Sequence, residues 1–189
     1  MRKLLRIADV LAIPCRAFAV LCGALLFVLA AVILYDVIGR RFFATGSFML
    51  QELEWHLHGA IAVLAFGYAY LKDAHVRIDV FALNLSNRTR LWIEVFAVLL
   101  FLVPFMTFVA IYGYEFAERA FVRGEGSPGG IGLSNRWIIK AAVPASAVLT
   151  ICGGLSVALR AIVALRAPHL IETPFERSKT LVSKNRPYG

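Results

Sequence analysis

The stretch AFAVLCGALLFVLAAVILY, Ala17–Tyr35, contains no charged residue. As a helix it is long enough to cross a hydrocarbon core of about 30 Å, which takes roughly 20 apolar residues. Three more stretches of this kind follow. Trp55–Leu71 has only His56 and His58 as titratable side chains, both near its start. Val95–Tyr114 is uncharged with Pro104 near its middle, and Ala141–Leu159 is uncharged with Pro144 near its start. In lipid each backbone N–H and C=O must be satisfied within the protein, which selects helices for isolated apolar runs. The expectation is an all-α integral membrane protein of four transmembrane helices.

Composition agrees. Of the 189 residues 60% are hydrophobic and only 17% charged, whereas a soluble domain carries about a quarter charged residues. The net charge of +8 does not point to nucleic acid, because the basic residues flank the apolar runs, where they meet water and anionic headgroups. Membrane lipids are therefore the expected neighbours. Cys15, Cys22 and Cys152 lie in or beside apolar segments without metal-ligand spacing. No cofactor is expected.

Topology follows from the lysines and arginines. With the N-terminus inside, fourteen face the cytoplasm, in the first 16 residues, the loop after the second stretch and the C-terminal region. Six, Arg40, Arg41, Arg119, Arg123, Arg136 and Lys140, face the other side. Both termini are thus expected in the cytoplasm. Although Met1–Arg6 is basic and precedes an apolar run, the run is long for a cleaved leader and no convincing Ala-x-Ala site precedes a polar mature chain. It reads as an uncleaved first helix. The organisation is then a basic amphipathic segment over residues 1–16 lying in the interface, a membrane domain over 17–165, and a flexible cytoplasmic tail over 166–189. GEGSPGGIG, Gly124–Gly132, reads as a non-helical external loop. Ser86 or Asn87 reads as the cap of a helix leading into the third stretch.

Ionisable residues inside a membrane mark functional sites, and here they are confined to the ends of the runs: Asp36, Glu52, Glu54, Glu94, Glu115, Glu118 and Lys140. Glu54, beside interfacial Trp55, is the strongest candidate for pairing with a partner's charge. A translocation path needs polar groups or broken helices near the midplane. Their scarcity argues for a supporting subunit and against a channel built from copies of this chain. His56 and His58, two apart, point to different faces of one helix, and His75 and His169 fall on the other side of the membrane. That arrangement does not suit a bis-His haem. Gly23, Gly59, Gly67, Gly153 and Gly154 are small residues that allow helices to approach closely in lipid.

Three further stretches carry a resemblance. They are QELEWHLHG at Gln51–Gly59, AHVRIDVF at Ala74–Phe81 followed by Asn87-Arg88-Thr89-Arg90, and GEGSPGGIGLSNRWIIKAAVP at Gly124–Pro144. With the four-run layout, they resemble the small permease (Q-type, DctQ-like) subunit of tripartite ATP-independent periplasmic (TRAP) transporters, over about residues 15–165. The resemblance implies a multi-pass protein of the bacterial inner membrane that performs no catalysis. Its partner would be a large permease subunit carrying the substrate and sodium sites. A periplasmic binding protein would deliver an organic acid to the pair. The family-typical positions would be Glu54, Trp55, His75, Arg77, Asp79, Arg136, Trp137 and Lys140, as folding and interface determinants that bind neither substrate nor metal. The rival reading is the membrane anchor subunit of a respiratory enzyme.

Overall fold

A computed structural model describes residues 1–72, 85–127 and 132–168. Among these residues all regular structure is helical. The helices are α1 (Arg2–Phe43), α2 (Phe48–Leu64), α3 (Phe66–Leu71), α4 (Asn87–Ala97), α5 (Val103–Val122) and α6 (Trp137–Arg166); a π-helical turn, Val98–Leu102, joins α4 to α5. Among the described residues three helical rods are long and apolar enough to cross a membrane: α1, the continuous Asn87–Val122 rod and α6.

The Trp55–Leu71 stretch, expected as a single helix, is divided between α2 and α3 by a turn at Ala65. Neither piece alone reaches the length of a span. Hydrogen bonding nevertheless continues across the turn, from the Ala65 N–H to the Ile61 carbonyl at 3.2 Å and from the Ala69 N–H to the Ala65 carbonyl at 2.9 Å. Just past the turn, Gly67 lies directly against the backbone of α6: a Cβ there would stand 2.5 Å from the Leu149 carbonyl oxygen.

All other helices pack on α6. It buries Ala142, Ser146, Ala147, Thr150, Gly153, Gly154, Ser156, Ala158, Ala161 and Ala164 along its length. These small side chains bring neighbouring backbones close from several directions, the usual means of helix association where lipid supplies no hydrophobic drive. A Cβ on Gly153 would be 2.5 Å from the Gly67 carbonyl oxygen, and one on Gly154 would be 2.9 Å from Leu102. Gly23 and Gly59 do not act this way. A Cβ on Gly23 meets nothing within 4 Å, and one on Gly59 would only touch Ile139 at 3.9 Å. Sequence alone marks a glycine as small but cannot say which way it faces.

The polar groups buried in this core are used up by the backbone. Ser156 Oγ donates to the Ala8 carbonyl at 2.7 Å, tying α6 to α1. Thr150 and Ser146 donate to carbonyls of their own helix at 2.8 and 2.7 Å. The Cys15 thiol donates to the Leu149 carbonyl at 3.2 Å.

The helix α1 runs unbroken for 42 residues, about 63 Å at 1.5 Å per residue. It continues through Pro14 and Arg16, so residues 1–16 and the first apolar run form one rod. Ala8, Ala12 and Cys15 are buried, and Asp9 pairs with Arg160 of α6 at 2.5 Å. Pro104 is accommodated by the π-turn, where the Val103 N–H reaches the Val98 carbonyl five residues back. A proline lacks the N–H for the regular ladder, and a π-turn is one of the local adjustments that absorb the mismatch. Helix α4 starts as expected, with Ser86 Oγ accepting from the Thr89 N–H at 3.2 Å.

The contacts order the chain as an up-and-down bundle. Residues near the N-terminus of α1 meet the C-terminal half of α6, through Ala8 with Ser156 and Asp9 with Arg160. Leu91 and Val95 of α4 pack with Ala161 and Ala164. At the opposite end, Phe121 of α5 meets Trp137 of α6 edge-on at 5.3 Å.

Candidate functional site

That opposite end gathers the polar side chains. It comprises the C-terminus of α1, the N-termini of α2 and α6, the C-terminus of α5, and the described parts of the segment between α5 and α6.

The helix α5 ends in a left-handed glycine. Gly124 has φ +57°, its N–H donates to the Phe121 carbonyl at 3.1 Å, and the Glu125 N–H donates to Ala120 at 2.9 Å. This paired closure needs a residue that adopts positive φ at low cost. It turns the chain back toward α6. The segment then folds on itself, with the Ser127 N–H donating to Leu133 and the Arg136 N–H to Glu125, both at 3.1 Å.

Two carboxylates clasp this segment. Glu125 accepts from Lys140 Nζ at 2.6 Å, and the same ammonium lies 4.0 Å above the centre of the Phe116 ring, a favourable cation–π position. Glu52, on the first turns of α2, accepts from the Leu133 N–H at 2.7 Å and stands 4.0 Å from Arg136 Nε. A side chain at position 132 would collide with the Glu52 carboxylate and Ser127. Glycine there lets α2 reach the segment's backbone. One turn on, His56 Nδ1 lies 2.5 Å from the Glu52 carbonyl, which fixes that ring against its own helix.

The hydrogen bond from Lys140 holds the Glu125 carboxyl below its ordinary range; desolvation opposes it less strongly, and the charges of Lys140, Arg136 and Arg123 add smaller lowering effects. A carboxylate depressed in the folded state stabilises above the unfolded pKa, and that contribution is lost as pH falls through the folded value. Amide exchange over residues 124–127, corrected for its intrinsic pH dependence, is therefore expected to quicken as pH drops below the usual carboxylate range. Lys140→Met should flatten this dependence; an unchanged profile would contradict the clasp.

Asp36 of α1, at the same end, is 1% exposed. Its Oδ2 pairs with Arg40 one turn later. Gln51 of α2, with its amide oxygen turned toward α1, accepts from the same guanidinium. The ends of α1 and α2 are thus joined through Arg40.

Arg136, Trp137 and Lys140, at the start of α6, lie at this end. Glu54 and Trp55 lie on the same helix as Glu52 but take no part in the clasp. Trp55 is 79% exposed, and Glu54 Oε1 is shielded from solvent without a hydrogen-bond partner among the described residues. His75, Arg77 and Asp79 lie outside the described residues. Sequence reasoning missed Glu52 and Glu125 as anchors. Glu52 shares one helix face with His56, four residues on, but nothing local in the sequence marks that face as the one turned toward the segment.

The arrangement is structural chemistry. Lys140 is held by Glu125 and the Phe116 face, and Arg136 stands within ion-pair reach of Glu52. A model of the family described as tripartite ATP-independent periplasmic transporters, DctQ component, matches residues 29–165. No curated protein matches the chain.

Proposed function

Since the chain belongs to the DctQ family of tripartite ATP-independent periplasmic transporters, we propose that it acts as the small scaffold subunit beside a large permease. In this reading the pair takes up an organic acid, driven by sodium and delivered by a periplasmic binding protein, across a bacterial inner membrane. The rods α1, α4–α5 and α6 supply three spans. The fourth is α2 with α3, whose hydrogen-bond ladder continues through Ala65. An even number of spans brings both termini to one side, and the lysine and arginine balance assigns that side to the cytoplasm.

The observation that supports a scaffold role is the state of the hydroxyls in the α6-centred core. Ser146, Thr150 and Ser156 each already donate to a backbone carbonyl. A transported anion or sodium ion needs groups free to exchange partners at depth. Here Ser156 ties α6 to α1, while Ser146 and Thr150 close onto α6 itself, as suits a fixed support for a moving neighbour.

Uptake of radiolabelled substrate into proteoliposomes tests this reading. The large permease and its binding protein are reconstituted with and without the small chain. Sodium-dependent uptake should require the chain, while binding of substrate to the binding protein should not. Uptake by the large permease alone at the full rate would refute a necessary scaffold.

A further inference from the structure

The outer surfaces of the bundle differ in chemistry. On α1, Val20, Phe27 and Leu34 are exposed, and on the π-turn and α5, Phe101, Phe105 and Phe108 are exposed. Such bulky apolar faces suit acyl chains. The outer face of α2 does not follow this pattern. Trp55, His58 and Ala62 are all exposed, and their spacing of three and four residues sets them in one stripe.

Trp55 is the kind of residue that marks the membrane–water interface. His58 lies about one turn deeper, in an apolar stretch, turned outward. An imidazole facing hydrocarbon is costly, and ionisable groups at such depth are found against protein or water-filled cavities. Glu54 edges the stripe half-buried, with Oε1 covered by its own chain and lacking a donor among the described residues, so that a turn of the carboxylate is needed to meet a donor from outside. A shielded carboxylate oxygen without a donor is destabilising until one arrives. Ala62, a further turn in, leaves room for another helix backbone to approach. A lipid tail answers none of these features, whereas a protein helix bearing a cationic or N–H donor answers them all.

We propose that the large permease subunit seats a transmembrane helix on the α2 face formed by Trp55, His58 and Ala62, and presents a cationic donor to Glu54. The faces of α1 and α5 are left to lipid. This proposal rests on the transporter-subunit reading and adds to it the surface used.

The test uses the intact complex, co-expressed and purified in mild detergent. A photo-crosslinking phenylalanine analogue is placed at Ala62 and, separately, at Phe105 of α5. The large permease, identified by mass spectrometry, should cross-link from position 62 and not from 105. In parallel, Glu54→Gln should lower recovery of the permease about tenfold, an effect of roughly the size of one intramembrane polar contact, and Glu54→Asp should restore part of it. Cross-linking from 105 alone would overturn the proposal. So would cross-linking from neither position while the permease still co-purifies, and in that case the functional reading would stand. Failure of any large permease to co-purify would refute the functional reading and this proposal with it.

Discussion

Gly153→Ala is expected to destabilise the protein by about 3 kcal/mol, the upper part of the usual range for overpacking. For a chain of this size that is a fall of roughly 6–12 °C in melting temperature, to be read by scanning fluorimetry in mild detergent. The added methyl would stand 2.5 Å from the carbonyl oxygen of Gly67. That neighbour is backbone, so no rotamer change relieves the overlap, and α3 and α6 must separate. Separation also loosens Gly67 against Leu149, where the mirror-image clash is equally close. Gly23→Ala provides the contrast. Nothing lies within 4 Å of a Cβ there, so the helix gains from alanine's better propensity, about 0.8–1 kcal/mol. Equal losses at the two positions would contradict the packing described here.

Glu52→Ala carries the second large effect. It leaves the Leu133 N–H without its acceptor and Arg136 without its nearest carboxylate. Leaving a buried donor unsatisfied costs about 1–3 kcal/mol, and this half-buried one belongs at the lower end, about 1 kcal/mol. Loss of the clasp should also free the segment between α5 and α6, seen as faster amide exchange at Leu133. Glu52→Gln should be milder, because an amide oxygen can still accept from Leu133. Glu54→Ala should leave Leu133 protected, since Glu54 lies outside the clasp. If exchange at Leu133 responded to Glu54 and not to Glu52, the assignment of the two acids would be reversed.

That pair of acids shows how far the sequence could be read. Apolar runs and charge placement are properties of composition along the chain. They were enough to expect helices and to place a cap at Ser86 or Asn87, of which the structure uses Ser86. Which of two acids two residues apart turns inward depends on the rotation of α2, and that is set by contacts with residues 81 positions away. The turn at Ala65 has the same origin, since it follows from the approach of Gly67 to α6 and leaves no local mark such as proline. The unbroken α1 is a third instance. Basic residues before an apolar run suggested a separate interfacial segment, yet Ala8, Ala12 and Cys15 bury against the rest of the bundle and one helix runs through. Of the glycines read as points of close approach, Gly67, Gly153 and Gly154 act so and Gly23 and Gly59 do not, a division set by which of them face a neighbouring helix.

The central claim is that this chain works as the small partner of a large permease. Purification of the tagged protein from native membranes in mild detergent, with its companions weighed and identified by mass spectrometry, tests it most directly. The account predicts a large polytopic permease of the same transporter class in near-equal amount. Recovery of the chain alone, or with a dehydrogenase or haem protein in place of a permease, would contradict it.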